Sequence, residues 1–381
     1  MRVGVLRSTA TPVSGGGFTF EQEMLDQLLA GAGSADHRFV VLDAPKALQR
    51  AGAAANVEFR AAPPEPLHRL LRRVRRFRMD RLAAEAGVDV IWNLSQFHPL
   101  TDTPFLTVVW DLQHRLQPFF PEVSANGQWA AREDDHAVRL RRAAAVIAGT
   151  AEGRAEISSF YQVPAQRIHV LPHPTPRFAL EPAPPRPGLL DRFRLPLSYL
   201  FYPAQFWPHK NHVNLLLALK LLADQGLILP LVLSGADKGN AATVRRLAEK
   251  LGLARQVHLL GFVSIEELVE LYRGALCLAY VSLFGPENLP PLEAFALGCP
   301  VLASEVAGAR EQLGDAALLV DATRPALLAD ALRRMHGDAA LRAALLARGS
   351  ARARAFTGKE FVRGVCGILD GLAPFLRCWK P

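Results

Sequence analysis

Cysteine is scarce: four in 381 residues, Cys277, Cys299, Cys366 and Cys378, scattered without metal-ligand spacing. That pattern excludes a disulfide-stapled scaffold and a zinc site, and it predicts free thiols in a reducing cytoplasm. No run of 18 uncharged apolar residues occurs, so no membrane-spanning helix is expected. The first residues, Met-Arg-Val-Gly-Val-Leu, read as a strand and lack a signal-peptide layout. Gly-x-Gly-x-x-Gly is missing, which removes the dinucleotide fingerprint. Asp-x-Asp is missing too, so no metal-binding carboxylate pair is expected at a strand end. The formal charge is +8, with arginine far outnumbering lysine, yet no aromatic platform is interleaved with the basic residues. Nucleic acid is therefore not the expected partner.

What is present is ample apolar sequence, half of the residues. The length fits two domains of about 150–200 residues each. Short apolar runs alternate with helical spacing through both halves, as in a doubly wound α/β protein. In the first half the strands expected are Arg2–Arg7, Phe39–Leu42, Val57–Phe59, Val88–Trp92, Phe105–Val109, Ala144–Ala148 and Ile168–Leu171. The stretch Pro172–Pro196 is proline-rich and without periodicity, and reads as a linker. In the second half the strands expected are Tyr199–Pro203, Leu229–Ser234, Val257–Leu260, Ala275–Val281, Val301–Ser304 and Ala317–Val320. Ser264 and Glu267 form a capping box that starts a helix at Ile265. The boundaries expected are 1–173, a linker 174–196, 197–355, and a closing helix within 356–381 that crosses back to the first domain.

Polar residues at strand ends carry the chemistry, because in open α/β sheets the carboxyl ends of the strands face the ligand crevice. Phe284-Gly-Pro-Glu-Asn-Leu-Pro-Pro-Leu-Glu293 follows an apolar strand, turns at Gly285 and Pro286, and starts a helix with two prolines. Such a helix start suits phosphate, and Glu293, one turn in, can accept hydrogen bonds from a ribose diol. A plain strand-turn-helix unit with a proline stop signal is the alternative. Lys210 precedes another helix and can neutralise a diphosphate, or simply be solvated. Asp111 and His114, after the strand Phe105–Val109, are candidates for acceptor contact or proton handling, or else cap a loop. Phe119 to Asp135 reads as an irregular acceptor loop. Ser14-Gly15-Gly16-Gly17 forms a glycine loop between a strand and a helix.

The stretch from Phe284 to Gly298-Cys-Pro-Val301 resembles the donor motif of GT-B glycosyltransferases of family 4, and the resemblance extends over most of the chain. It implies two facing Rossmann-like domains with a cleft between them. It also implies a retaining, metal-independent transfer of a sugar from a UDP- or GDP-sugar to an acceptor hydroxyl, in bacterial surface polysaccharide or glycolipid synthesis, with no cofactor. The donor-binding set expected from it is Gly15, Gly16, Gln205, Lys210, Gly235, Phe262, Val263, Glu287, Asn288, Leu289, Pro290 and Glu293. Asp111, His114 and Lys210 are the expected catalytic residues. The chain departs from the family pattern at three places. Trp110 stands where a histidine is usual, Gln205 where an arginine is usual, and Gly285 where the first glutamate is usual. A catalytically silent nucleotide-sugar-binding protein and another GT-B enzyme, such as a sugar-nucleotide epimerase, remain open alternatives.

The segment Glu65–Glu85 carries seven arginines against three acids, with Leu67, Leu70, Leu71, Val74 and Phe77 at helical spacing. A basic amphipathic helix of this kind suits an anionic membrane surface, with Arg69, Arg72, Arg73, Arg75 and Arg76 as the contact residues. The expected location is the cytoplasm, peripheral on the inner face of the plasma membrane.

Overall fold

The computed structural model describes residues 1–8, 11, 15–31, 36–42, 54–60, 72–95, 98 and 100–378, with 72–78 as backbone only. The chain divides into two compact units. Unit 1 comprises Met1–Leu112, Ala130–Pro174 and Gly358–Pro381; unit 2 comprises Gln113–Trp129 and Thr175–Thr357.

Unit 1 is built on a seven-stranded sheet of β1 (Arg2–Leu6), β2 (Arg38–Leu42), β3 (Val57–Arg60), β4 (Val90–Asn93), β5 (Phe105–Val109), β6 (Ala145–Ala148) and β7 (Ile168–Val170), ordered β3-β2-β1-β4-β5-β6-β7. Unit 2 has six strands, β8 (Leu200–Pro203), β9 (Leu231–Ser234), β10 (Val257–Gly261), β11 (Cys277–Tyr280), β12 (Val301–Ser304) and β13 (Ala317–Val320), ordered β10-β9-β8-β11-β12-β13. Every pairing in both sheets is parallel. Parallel sheets are covered on both faces, which is why the strands are continuous apolar runs rather than alternating ones. The central strands β4, β5, β9, β11 and β12 are buried at every position.

Each sheet reverses direction once. In unit 1 the order turns between β1 and β4, and in unit 2 between β8 and β11. The loops leaving adjacent strands at such a point run to opposite faces and leave a crevice between them.

The closing helix Gly358–Leu376 belongs to unit 1. Its Phe361 meets Phe20 edge to face at 5.2 Å, on the helix Gly16–Leu29. The proline-rich stretch 175–196 groups with unit 2 and is partly structured. It holds a helical turn, Arg177–Leu180, whose Ala179 is fully buried in the core of unit 2. Arg192 donates to Glu267 at 2.6 Å, and Glu267 completes the capping box with Ser264.

The expectation of an irregular loop over 119–135 is overturned. Helices run over Pro121–Ser124 and Gln128–Arg142. The second is mostly polar, so its apolar stripe is thin. It holds instead through i,i+4 pairing, with Arg139 donating to Asp135 at 2.8 Å, and through burial of His136 and Leu140. Of the basic segment 65–85, Arg69 lies outside the described residues, as do the side chains of Arg72, Arg73, Arg75 and Arg76. The backbone from Arg72 to Glu85 is helical.

Candidate functional site

The reversal between β8 and β11 brings together the two loops that the sequence singles out. After β8 the chain runs through Gln205 and Trp207 to a short 3-10 turn, Pro208–Lys210, and then the helix His212–Asp224. After β11 it runs through Ser282 to the Gly285 turn and the helix Leu289–Ala296. Lys210 links them. Its Nζ donates to Tyr280 Oη at 3.0 Å and to Ser282 Oγ at 3.3 Å. Among the described residues no carboxylate lies within ion-pair distance of Lys210. Its half-buried charge is therefore held by hydroxyl dipoles, an arrangement that leaves its field available to an anion.

The hydroxyls pass the order onward. Tyr280 Oη donates to Asn288 Oδ1 at 2.6 Å, and Asn288 Nδ2 donates back to the Gly285 carbonyl at 3.1 Å. Gly285 has φ +93°, and a Cβ there would lie 3.0 Å from Asn288 Oδ1. A glutamate at this position would be strained by the positive φ and crowded against the Asn288 amide. Glycine here thus has a local steric cause.

Sequence reasoning missed the partner of this turn. Gln312, on the helical turn Ala309–Leu313, clasps the backbone of Asn288 on both sides: the Asn288 N–H donates to Gln312 Oε1 at 2.9 Å, and Gln312 Nε2 donates to the Asn288 carbonyl at 2.9 Å. Pro290 and Pro291 have no N–H. The expected row of phosphate-binding amides at this helix start therefore reduces to that of Leu289. The signal that could have found Gln312 is its long amide beside the turn at Gly308 (φ +81°), but only the fold brings it to Asn288.

Glu293 is buried, 7% exposed. It accepts a hydrogen bond at 2.7 Å from Tyr272 Oη, on the helix Ile265–Gly274. Burial pushes the Glu293 carboxyl up to about 7, with the Tyr272 bond pulling the other way. Tyr272, also absent from the sequence reading, additionally donates to the Pro290 carbonyl at 3.3 Å. Glu287 is buried next to the turn. Gln205 accepts from Trp207 Nε1 at 2.9 Å. Gly235 has φ +148°, and a Cβ there would sit 2.3 Å from the Ala204 carbonyl oxygen, so this glycine serves the close approach of the β8 and β9 loops. Phe262 projects into solvent at the end of β10, with Val263 beside it half-buried. Leu289 is buried and Pro290 half-buried.

The first-half candidates fare differently. The helix Gly16–Leu29 begins inside the glycine stretch, with Gly15 as its N-cap and Gly16 exposed. Trp110 packs on Gly17, where a Cβ would come within 2.8 Å of its ring. Asp111 pairs with Arg132 at 3.3 Å. Nearby, Glu156 is raised to about 7 by burial and then by Glu152 and Asp111. His114 is completely buried, edge-on to Trp129, and groups with unit 2, whereas Asp111 belongs to unit 1. A ring so covered runs against the expected acceptor contact. Among the described residues no group of three His, Cys, Asp or Glu side chains stands where a metal ion could be held.

A second cluster adjoins Lys210. His209 stacks on Phe284, with centroids 4.1 Å apart, and Phe120 meets Phe284 edge-on at 5.3 Å. The His209 N–H donates to Glu122 Oε1 at 3.0 Å, and the His209 ring Nδ1 contacts the same oxygen. Burial alone would raise the Glu122 carboxyl; the hydrogen bonds from His209 outweigh it and hold the group below the ordinary carboxylate range.

Residues 193–352 match the family model of glycosyl transferases group 1. O-antigen chain mannosyltransferase B of Escherichia coli is 32% identical over 209 residues, 54% of this chain and 54% of the relative. The chain spans about half the length, or less, of the curated relatives it matches. Among solved structures, Anabaena Alr3699/HepE in complex with UDP and glucose aligns with a TM-score of 0.72 at 17% identity, covering 98% of this chain and 100% of that one. A glycosyltransferase from Rickettsia africae aligns with a TM-score of 0.70 at 13% identity, covering 97% and 98%. Residues 193–352 thus resemble a group 1 glycosyltransferase domain, and the chain has the α/β fold of the GT-B glycosyltransferases.

Proposed function

We propose that this protein transfers a hexose from a nucleoside diphosphate sugar to an acceptor hydroxyl. The observation that carries the reading is the ammonium of Lys210, held on two hydroxyls and without a carboxylate partner among the described residues, at the reversal of the sheet. A diphosphate leaving group needs fixed positive charge where its own negative charge develops. Lys210 supplies it, and the Leu289 amide adds one donor. As the bond to the anomeric carbon loosens, the sugar takes on oxocarbenium character, by analogy with glycoside hydrolysis. Glu293 is placed to accept hydrogen bonds from the donor ribose, exchanging part of its bond with Tyr272 for them. The backbone near Phe262 and Val263 reads the base. Gln205 completes the donor side within unit 2, and the family resemblance implies Gly15 and Gly16 as further donor contacts and Asp111 as an acceptor contact.

The family resemblance supports a retaining reaction in which Lys210 stands in for a divalent cation. The mannosyltransferase name of the Escherichia coli relative favours mannose as the transferred sugar and surface polysaccharide as the product. No helix among the described residues is long and apolar enough to cross a membrane. The arginines of 69–76 suit attachment to an anionic leaflet from the cytoplasmic side; liposome flotation that persists after their replacement by glutamine would overturn this part.

The test of the whole reading is direct. UDP-, GDP- and other nucleoside diphosphate hexoses are titrated by calorimetry, then incubated with and without glycan acceptors, and released nucleotide is measured. Acceptor-dependent release is expected, and anomeric retention is read by NMR of the product. Binding without release on any acceptor would identify a silent binder instead.

A further inference from the structure

Unit 2 contains a cavity that the donor-side reading does not use. It has a volume of about 480 Å³, within the range of roughly 300–1,000 Å³ typical of small-molecule sites. One wall is the segment Pro121–Gln128, with Glu122, Asn126 and Gln128. The other is Trp207 and Pro208 after β8, and Lys238 to Asn240 after β9.

The chemistry of the walls is particular. The indole of Trp207 is half-buried, and Lys238 Nζ lies 5.7 Å from its centroid. The amide side chains of Asn126, Gln128 and Asn240 make no protein hydrogen bond among the described residues. Three unspent amides and an ammonium around an indole are a poor arrangement for an apolar ligand and a good one for a sugar. Amides donate and accept at once, as ring hydroxyls require, and an indole covers the C–H face of a pyranose.

The walls are fixed rather than floppy. Glu122 and His209 join them at the back, Gln117 Nε2 donates to the Leu283 carbonyl at 3.0 Å, and Asp237 holds the N–H groups of Gly239 and Ala241 at 2.8 and 3.1 Å. The short loop that presents Trp207 and Pro208 to the cavity also carries Lys210 three residues on. A ligand here would therefore share that loop with the cation assigned above to the diphosphate, whose ammonium itself rests on Tyr280 and Ser282.

The geometry points to this cavity as the subsite for the acceptor glycan, gripped by Trp207, Asn126, Gln128 and Asn240. The inference rests on the transferase reading, and binding tests it separately. Saturation-transfer NMR of the intact protein uses the methyl α-glycosides of mannose, glucose and galactose and the α-linked mannobioses as probes. At least one probe is expected to bind the wild type. Trp207→Ala and Asn240→Ala are expected to weaken it tenfold or more, and Trp207→Phe to restore most of the affinity. Asn126→Gly keeps the left-handed backbone of that residue (φ 55°) while deleting the amide, and is expected to weaken binding about threefold to tenfold. No saturation transfer from any probe, or unchanged affinity in Trp207→Ala and Asn240→Ala, overturns the subsite. In turnover, Asn126→Gly and Asn240→Ala should raise the acceptor KM and leave the donor KM within twofold. An unchanged acceptor KM with turnover intact sinks the subsite alone; absence of nucleotide release from every sugar donor sinks the transferase reading alone.

Discussion

The two sheets reverse in the same way, yet the two reversals are furnished differently. At β1/β4, among the described residues, two polar side chains are spent on the protein itself, although Asn93 Oδ1 and Arg7 Nε stay without a partner. Glu21, 1% exposed, accepts from the Ser8 N–H at 2.9 Å and from its hydroxyl at 2.6 Å, and Asn93, fully buried, donates to the Leu106 carbonyl at 3.0 Å. Trp110 fills the space over Gly17. At β8/β11 a cation rests on hydroxyls, a glycine turn is clasped by an amide, and a buried carboxyl leans on a phenol. Topology creates a crevice at both places; among the described residues the second holds an ammonium on hydroxyls with no carboxylate partner, while part of the loops at the first lies outside the described residues. A site is recognised less by where the chain folds than by which charges the fold leaves uncompensated.

The largest test of that contrast is Lys210→Ala. Removing this cation should lower turnover roughly 10²–10³-fold, a loss typical of deleting a transition-state charge partner. Thermal stability should hardly change. Glu21→Ala in unit 1 should do the reverse, lowering the melting temperature while surviving protein keeps its donor KM. Steady-state kinetics and calorimetric melting on both variants check this. Equal kinetic losses would erase the distinction between the two reversals.

Glu293 comes next. Its folded pKa, about 7, lies above the unfolded carboxylate value near 4.3. The stability this proton contributes is complete below about pH 4 and is lost as pH rises towards 7. Glu293→Gln should therefore be more stable than wild type at pH 8, by up to roughly 3 kcal/mol, and show less loss between pH 4.5 and 7. Glu156 loses stability in the same window, so some slope should remain. Urea midpoints across pH give the answer. If the proposed ribose contact is real, the same variant binds donor more weakly although it is more stable.

Gly285→Glu restores the residue usual in the family and should make matters worse. Forcing positive φ on a side-chain-bearing residue costs about 1–2 kcal/mol, and the crowding against Asn288 adds to it. A lower melting temperature and a higher donor KM are expected; improved turnover would show that the turn can re-form around a glutamate. The smallest effect is expected from Gln312→Ala, about 1 kcal/mol through two lost hydrogen bonds to Asn288. Because those bonds aim the turn, the donor KM should move more than the melting temperature does. Gln312→Glu keeps the acceptor and loses the donor, and should fall between.

Much of the fold could be read from pattern. Apolar runs bounded by glycine and proline placed the strands to within a residue or two, and the Ser264–Glu267 capping box started its helix where expected. These features are local: period, caps and proline positions act within a few residues. Of the site, Lys210, Gly285 and Glu293 were legible because strand ends face crevices. Tyr272, Tyr280, Ser282 and Gln312 were not, since the contacts that bring them to Glu293, Lys210 and Asn288 join elements that only the fold sets side by side. The helix Gln128–Arg142 was misread for another reason. Its stability comes from charge pairing and one buried edge, which a search for apolar periodicity passes over.

The return of Gly358–Leu376 to unit 1 has a consequence for synthesis. The first unit needs the last helix: Phe20 finds Phe361 only after more than three hundred further residues have been made. On the ribosome the second unit can complete its sheet first, while the first waits with an apolar helix face uncovered. This is an order of assembly opposite to the order of translation, and one in which a chain cut short near its end would fail in its beginning.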